Sequence, residues 1–209
     1  MPGVGVTPSG SSGGGKLTLR SIWSAIRLMV LSSLVLGLAY TFLITGIASA
    51  VFPQQAAGSL VTLHGRVVGS RLIGQEFTSP GFFWGRPSAT SPAYNGASSA
   101  ASNLGPTNAV LIAHVKARLQ AFLKANPGVT ASQVPLSLLE SSASGLDPDI
   151  TPAAALIQVP RVARADHLSP GRLRSLIQQY TKGRFLGIFG HPYVNVLELN
   201  LAVLRLRRP

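Results

Sequence analysis

Four histidines, His64, His114, His167 and His191, are the side chains best suited to proton transfer or metal ligation near neutral pH. None stands four residues from another, the spacing that puts two ligands on one helical face, so surface or core roles are expected and no metal site is predicted. Asp147-Pro148-Asp149 sets two carboxylates two residues apart, but Asp-Pro followed by Ile150-Thr151-Pro152 is the pattern of a turn entering a capped helix. Serines are abundant without a G-x-S-x-G elbow or an ordered Ser, Asp and His set. No G-x-x-x-x-G-K-[ST] or strand-linked G-x-G-x-x-G is present to cradle a nucleotide. Cysteine is absent altogether, which removes disulfide, thiolate and zinc-finger chemistry. Nothing in the chain argues for catalysis by this polypeptide alone.

The elements that would position these residues are arranged behind an apolar run, Leu28 to Phe52, that holds no formal charge over its 25 residues. As a helix it would reach about 37 Å at about 1.5 Å per residue, enough for a hydrocarbon core about 30 Å thick, and in lipid a lone segment must satisfy its own backbone. The same run admits a second reading, a signal peptide cut after Ala50 at Ala48-Ser49-Ala50, which would release a secreted basic binding domain. Signal cores run about 7 to 15 residues. This one is already 20 residues long when Ala48 is reached, so the membrane helix is preferred.

The organisation expected is a disordered Gly/Ser/Pro-rich segment at residues 1–20, a single transmembrane helix with a basic flank at 21–52, and one α+β domain at 53–209. Lys16, Arg20 and Arg27 precede the apolar run with no acidic residue before it, and the next basic residues are Arg66 and Arg71. By the positive-inside rule the N-terminus is cytoplasmic and the domain extracytoplasmic. Ala25, Ser32, Ala39 and Gly46 recur every seven residues and would line one stripe where another membrane helix could pack closely. The net charge of +12 comes from 18 basic and 6 acidic residues. The basic residues are scattered and never interleave with aromatics in a compact run, so they read as a solvated surface open to anionic lipid or an acidic partner rather than to nucleic acid.

Within the domain, Leu60–Leu63 and 66–73 read as a hairpin turning at His64-Gly65. Thr107 is a candidate cap for a helix with Leu111, Val115, Leu119 and Phe122 on its apolar face, ended by Asn126-Pro127-Gly128. A second helix should start at Thr151-Pro152 and be interrupted at Pro160, and a third should start at Ser169-Pro170 and bury Leu173, Leu176, Ile177 and Tyr180. Residues 194–201 read as a strand with a bulge at Val196-Leu197. Residues 78–106 fit neither period, yet Phe82, Phe83, Trp84 and Tyr94 argue against disorder. Arg86 is the one charge in this loop, either tying it internally to backbone carbonyls or to Asp147, or reaching out to a partner. The tie, shaping a docking surface, is the favoured reading.

Five blocks carry a resemblance: GSRLIGQEF (69–77), FFWGRPSA (82–89), SNLGPTN (102–108), SGLDPDITPAAALIQVPRVARA (144–165) and GIFGHPYVNVLELNLA (187–202). In order and position the chain resembles the C subunit of the Kdp-type potassium-transporting P-type ATPase. That resemblance implies a non-catalytic subunit that stabilises a high-affinity potassium uptake pump, with a channel-like subunit and an ATP-hydrolysing subunit as partners. It also implies a catalytic-chaperone role that raises ATP affinity, so ATP is the one cofactor to consider, although a domain outside the cytoplasm could not touch it. Arg86, Asn103, Asp147 and Asn195 are the candidate structural or interface residues. The chain departs from the family pattern at Ala100-Ala101, where glycines are usual, at His191, where Glu or Gln is usual, and in its basic tail 204–209. The alanines restrict left-handed backbone and should reshape that loop.

Overall fold

The computed structural model describes residues 18–207. The segment read as disordered lies outside them as far as residue 17, as do the last two residues of the basic tail. The chain divides after Ala56 into two units, each described here by itself.

In the first unit a helix runs without interruption from Leu19 to Val51, as α1 (Leu19–Ser32), a π-helical stretch (Ser33–Tyr40) and α2 (Thr41–Val51). It begins earlier than the expected boundary at residue 20. The reason is local: the Thr18 hydroxyl accepts a hydrogen bond from the Ser21 amide at 3.3 Å and caps the first turn. Phe52 leaves helical geometry at φ −130°, and Pro53 opens the four-residue turn α3 (Pro53–Ala56). Helix Leu19–Val51 is long and apolar enough to cross a membrane, with its side chains exposed almost throughout. Of the small residues expected to form a stripe, Ala25 and Ser32 lie in α1, Ala39 in the π-helical stretch and Gly46 in α2.

The second unit is a mixed domain of helix and antiparallel sheet. Its first element is the hairpin β1 (Leu60–Leu63) and β2 (Arg66–Ser70), turned by His64 at φ 50° and Gly65 at φ 76°, two left-handed residues as a tight two-residue hairpin demands. The second strand stops at Ser70, short of the expected Ile73, because the Ser70 hydroxyl donates to Gly58 O at 2.7 Å and accepts from the Leu72 amide at 3.1 Å, which turns the chain away. Helix α4 (Ala109–Ala125) is capped by Asn108, not Thr107: the Asn108 side chain accepts from the Val110 amide at 2.8 Å. Thr151 caps α5 (Pro152–Leu156), Pro160 lies in the first turn of a new helix α6 (Val159–Asp166), and α7 (Pro170–Tyr180) buries Leu173 and Ile177. Asp147 Oδ1 accepts from the Asp149 amide at 3.0 Å, so the paired carboxylates do form the turn into that capped helix.

A three-stranded antiparallel sheet in the order β3 (Asp149–Ile150), β5 (Tyr193–Asn195), β4 (Thr181–Lys182) lies at the centre. The expected strand 194–201 is overturned: β5 ends at Asn195 and Val196–Leu206 is helix α8. The apparent slip in alternation at Val196-Leu197 is the switch from a two-residue to a helical period, for Val196, Leu199 and Val203 are buried at i, i+3 and i+7. Asn195 makes the switch. Its Oδ1 accepts from the Glu198 amide at 3.1 Å as an N-cap, while its Nδ2 donates to Arg71 O at 2.9 Å and to Asp149 Oδ1 at 3.0 Å. The core around this sheet joins Ile150, Val162, Leu173, Val194 and Leu199 to Phe83 of the irregular loop.

Asn195→Ala should therefore cost the domain about 1–2 kcal/mol or more, since a cap is typically worth about 1 and two further partly buried bonds go with it. The urea midpoint of the full chain in detergent checks this; a midpoint equal to wild type would contradict it.

Candidate functional site

Between β2 and α4, residues 71–108 contain no strand and no helix, yet much of the stretch is held inside the domain. Backbone groups there cannot be satisfied by a ladder, and buried ones cannot be left unsatisfied. Side chains from the helices complete them. The Phe83 amide donates to Asn200 Oδ1 at 2.7 Å, and Asn200 Nδ2 returns a bond to Phe83 O at 2.9 Å. One residue on, the Trp84 amide donates to Gln158 Oε1 at 2.8 Å, and Gln158 Nε2 donates to Trp84 O at 3.1 Å. Each amide side chain thus mimics a strand neighbour for one loop residue.

The cation that completes this arrangement is Arg161 on α6, only 4% exposed. Its Nη1 donates to Pro80 O at 2.6 Å and Phe82 O at 2.9 Å, its Nη2 to Gln158 Oε1 at 2.6 Å, and its Nε to Asn126 Oδ1 at 3.0 Å. The guanidinium carbon also lies 4.0 Å from the Trp84 ring centre. No carboxylate shares the set; carbonyl dipoles and an aromatic face offset the charge. Burial pushes the Arg161 pKa down to about 10, which still leaves it charged at neutral pH. At the other end of the same turn, Arg207 binds Gly81 O at 2.6 Å and Asp166 at 2.7 to 2.8 Å, with its guanidinium 4.6 Å from the Phe82 ring centre.

Of the residues singled out by sequence, Arg86 and Asp147 are brought together, Nη1 to Oδ2 at 2.8 Å, with each side chain about a quarter exposed. The Tyr94 hydroxyl donates to Arg86 O, and burial, ahead of the neighbouring Asp147 charge, pushes that phenol's pKa up to about 12. Arg86 Nε is buried without a partner. Asp149 lies close by in sequence and meets Asn195, its pKa raised chiefly by burial. Asn103 is exposed at φ 50° and is not part of this hydrogen-bonded set. Ala100 and Ala101 take no left-handed conformation: the Ala100 amide pairs with Ser144 O at 3.0 Å, and Asn103 supplies the left-handed turn instead. Across from Ala100, Gly145 takes φ 68°, and a Cβ there would lie 2.6 Å from Ala100 O.

A cleft of about 390 Å³ opens beside the loop, with Phe77, Trp84, Arg86, Tyr94, Arg118 and Phe122 among its walls. Arg118 Nη1 is already spent on Leu139 O at 2.9 Å. Among the described residues no group of three or more His, Cys, Asp or Glu side chains is placed to hold a metal ion. Sequence reasoning missed Gln158, Arg161, Asn200 and Arg207. The available signal was an arginine and a glutamine three residues apart inside otherwise apolar helical turns, Ile157–Val162.

The chain thus joins a helix long and apolar enough to cross a membrane to a mixed domain whose buried polar side chains hold one long loop. The family model "K+-transporting ATPase, c chain" (KdpC) matches residues 22–205. Similar proteins include the potassium-transporting ATPase KdpC subunits of Ralstonia nicotianae (52% identical, 86% of this chain and 88% of that protein), Sorangium cellulosum (55%; 85% and 93%) and Methylorubrum extorquens (48%; 91% and 99%). The chain belongs to the KdpC family.

Replacing Arg161 should be among the most damaging single changes in the domain. Arg161→Met leaves two loop carbonyls, Asn126 and Gln158 short of a donor, at about 1–3 kcal/mol for each group left unsatisfied. Arg161→Lys should rescue little, because an ammonium cannot reproduce the planar fork. Chemical unfolding of the detergent-solubilised chain measures both; a lysine variant as stable as wild type would show that charge alone suffices.

Proposed function

We propose that this chain is the accessory, non-catalytic subunit of an ATP-driven potassium uptake pump, binding a channel-like subunit and an ATP-hydrolysing subunit and stabilising their assembly. The observation that carries this is the family match over residues 22–205 together with relatives about half identical that are named as pump subunits. Helix Leu19–Val51 crosses the membrane with its N-terminus cytoplasmic, on the strength of Lys16, Arg20 and Arg27, and the domain faces outward. The face built by the Pro80–Tyr94 loop, shaped by the Arg86–Asp147 pair, is its docking surface for a larger subunit. Small residues along the helix, Ala25, Ser32, Ala39 and Gly46, admit close approach of a neighbouring membrane helix. Any rise in ATP affinity is then transmitted through the assembly, since the ATP-hydrolysing site lies on the other side of the membrane from this domain.

The test is purification of the affinity-tagged full chain from its own cells in mild detergent. The two larger pump subunits should copurify; recovery of the chain alone would overturn the assignment. For orientation, a C-terminal alkaline phosphatase fusion should be active and a C-terminal green fluorescent protein fusion dark, and the reverse pattern would place the domain in the cytoplasm.

A further inference from the structure

Between β4 and β5 the chain leaves the sheet as an arm in which every residue from Lys182 to Pro192 is exposed. The arm is ordered by its own backbone: the Phe185 amide donates to Phe189 O at 2.9 Å and the Phe189 amide to Phe185 O at 3.0 Å, around a turn with Leu186 at φ 52° and Gly187 at φ 74°. This closure presents four large apolar side chains together. Phe185 is 72% exposed, Leu186 73%, Ile188 73% and Phe189 62%. Elsewhere on the domain the exposed large apolar residues, such as Val67 and Leu136, are at least two positions apart in sequence. Single exposed apolar residues need no explanation, whereas a contiguous cluster marks a surface that something covers.

Charge around the tip selects the cover. No carboxylate occurs between Asp166 and Glu198 in sequence, while Arg172, Arg174, Lys182 and Arg184 fall in that interval. Lys182 is 3.4 Å from Glu198, but Arg184, directly beside Phe185, forms no ion pair with any described carboxylate. Bulky aromatic and aliphatic groups with an adjoining arginine are what the boundary between anionic headgroups and acyl chains accepts. The same chain also carries a helix long and apolar enough to cross a membrane, Leu19–Val51.

We propose that the Phe185–Phe189 tip is a second membrane anchor, seated in the headgroup–acyl boundary of a bilayer containing anionic lipid, with Arg184 on a headgroup phosphate. The absence of cysteine makes a single reporter thiol unambiguous. The full chain carrying Ile188→Cys, labelled with an environment-sensitive fluorophore, is reconstituted into vesicles of equal parts phosphatidylcholine and phosphatidylglycerol, without other pump subunits. The probe should emit blue-shifted and be quenched by doxyl-labelled lipid, whereas a probe at Ala131→Cys on the domain surface should report water. Adding Phe185→Ser and Phe189→Ser should return the Ile188 probe to an aqueous spectrum with the unfolding midpoint unchanged, since both side chains are exposed. Replacing phosphatidylglycerol by phosphatidylcholine should lower the quenched fraction. An aqueous spectrum in the anionic vesicles overturns the proposal. So does a probe that turns apolar only when the larger subunits are added and stays unquenched by doxyl lipid, which would make the tip a protein contact.

Discussion

A buried guanidinium with no carboxylate beside it holds this domain together. Arg161 gives four of its five N–H directions to neutral acceptors, two of them carbonyls of an irregular loop and two on side chains that themselves bind that loop or end a neighbouring helix. Taking such a cation out of water is costly, and removing its partners or the cation itself leaves charges or carbonyls stranded. The arrangement therefore works only when loop, α4 terminus and α6 are all in place, which couples a stretch without secondary structure to the sheet-and-helix core. Phe83, fully buried among Val162, Leu199 and Val203, supplies the apolar side of the same coupling.

The hairpin and the helices starting at Pro152 and Pro170 were legible because each is announced by local chemistry: left-handed turn residues, a hydroxyl cap, or a proline where its missing amide costs nothing. Helix α8 was not legible as helix. Its residues are apolar on nearly every side because the core surrounds it, and a fully buried helix and a buried strand give similar short apolar runs. Asn195, which decides the matter, looks in sequence like any polar residue between two valines. The loop's order was signalled by its aromatics, but its cause was not, since Gln158, Arg161 and Asn200 lie some 74 to 117 residues away in sequence from the backbone they complete. The Arg86–Asp147 pair was one of the options the sequence left open, since Arg86 is the one charge in the loop; nothing comparable singled out the Arg161 set.

Helix Leu19–Val51 shows a related limit. Its hydrophobicity was plain, but the π-helical stretch at 33–40 was not, because a widened turn leaves no compositional mark. In the domain of this KdpC family member the feature that fixes a surface is the loop held from beneath by Arg161.

Hydrogen exchange at two amides tests that view most directly. If Gln158 and Asn200 replace a strand neighbour, the Phe83 and Trp84 amides of the full chain in detergent should exchange as slowly as core amides such as Val194 and Leu199, despite lying in a stretch with no regular structure. Exchange at the rate of an amide in an exposed loop residue such as Gly96 would contradict it.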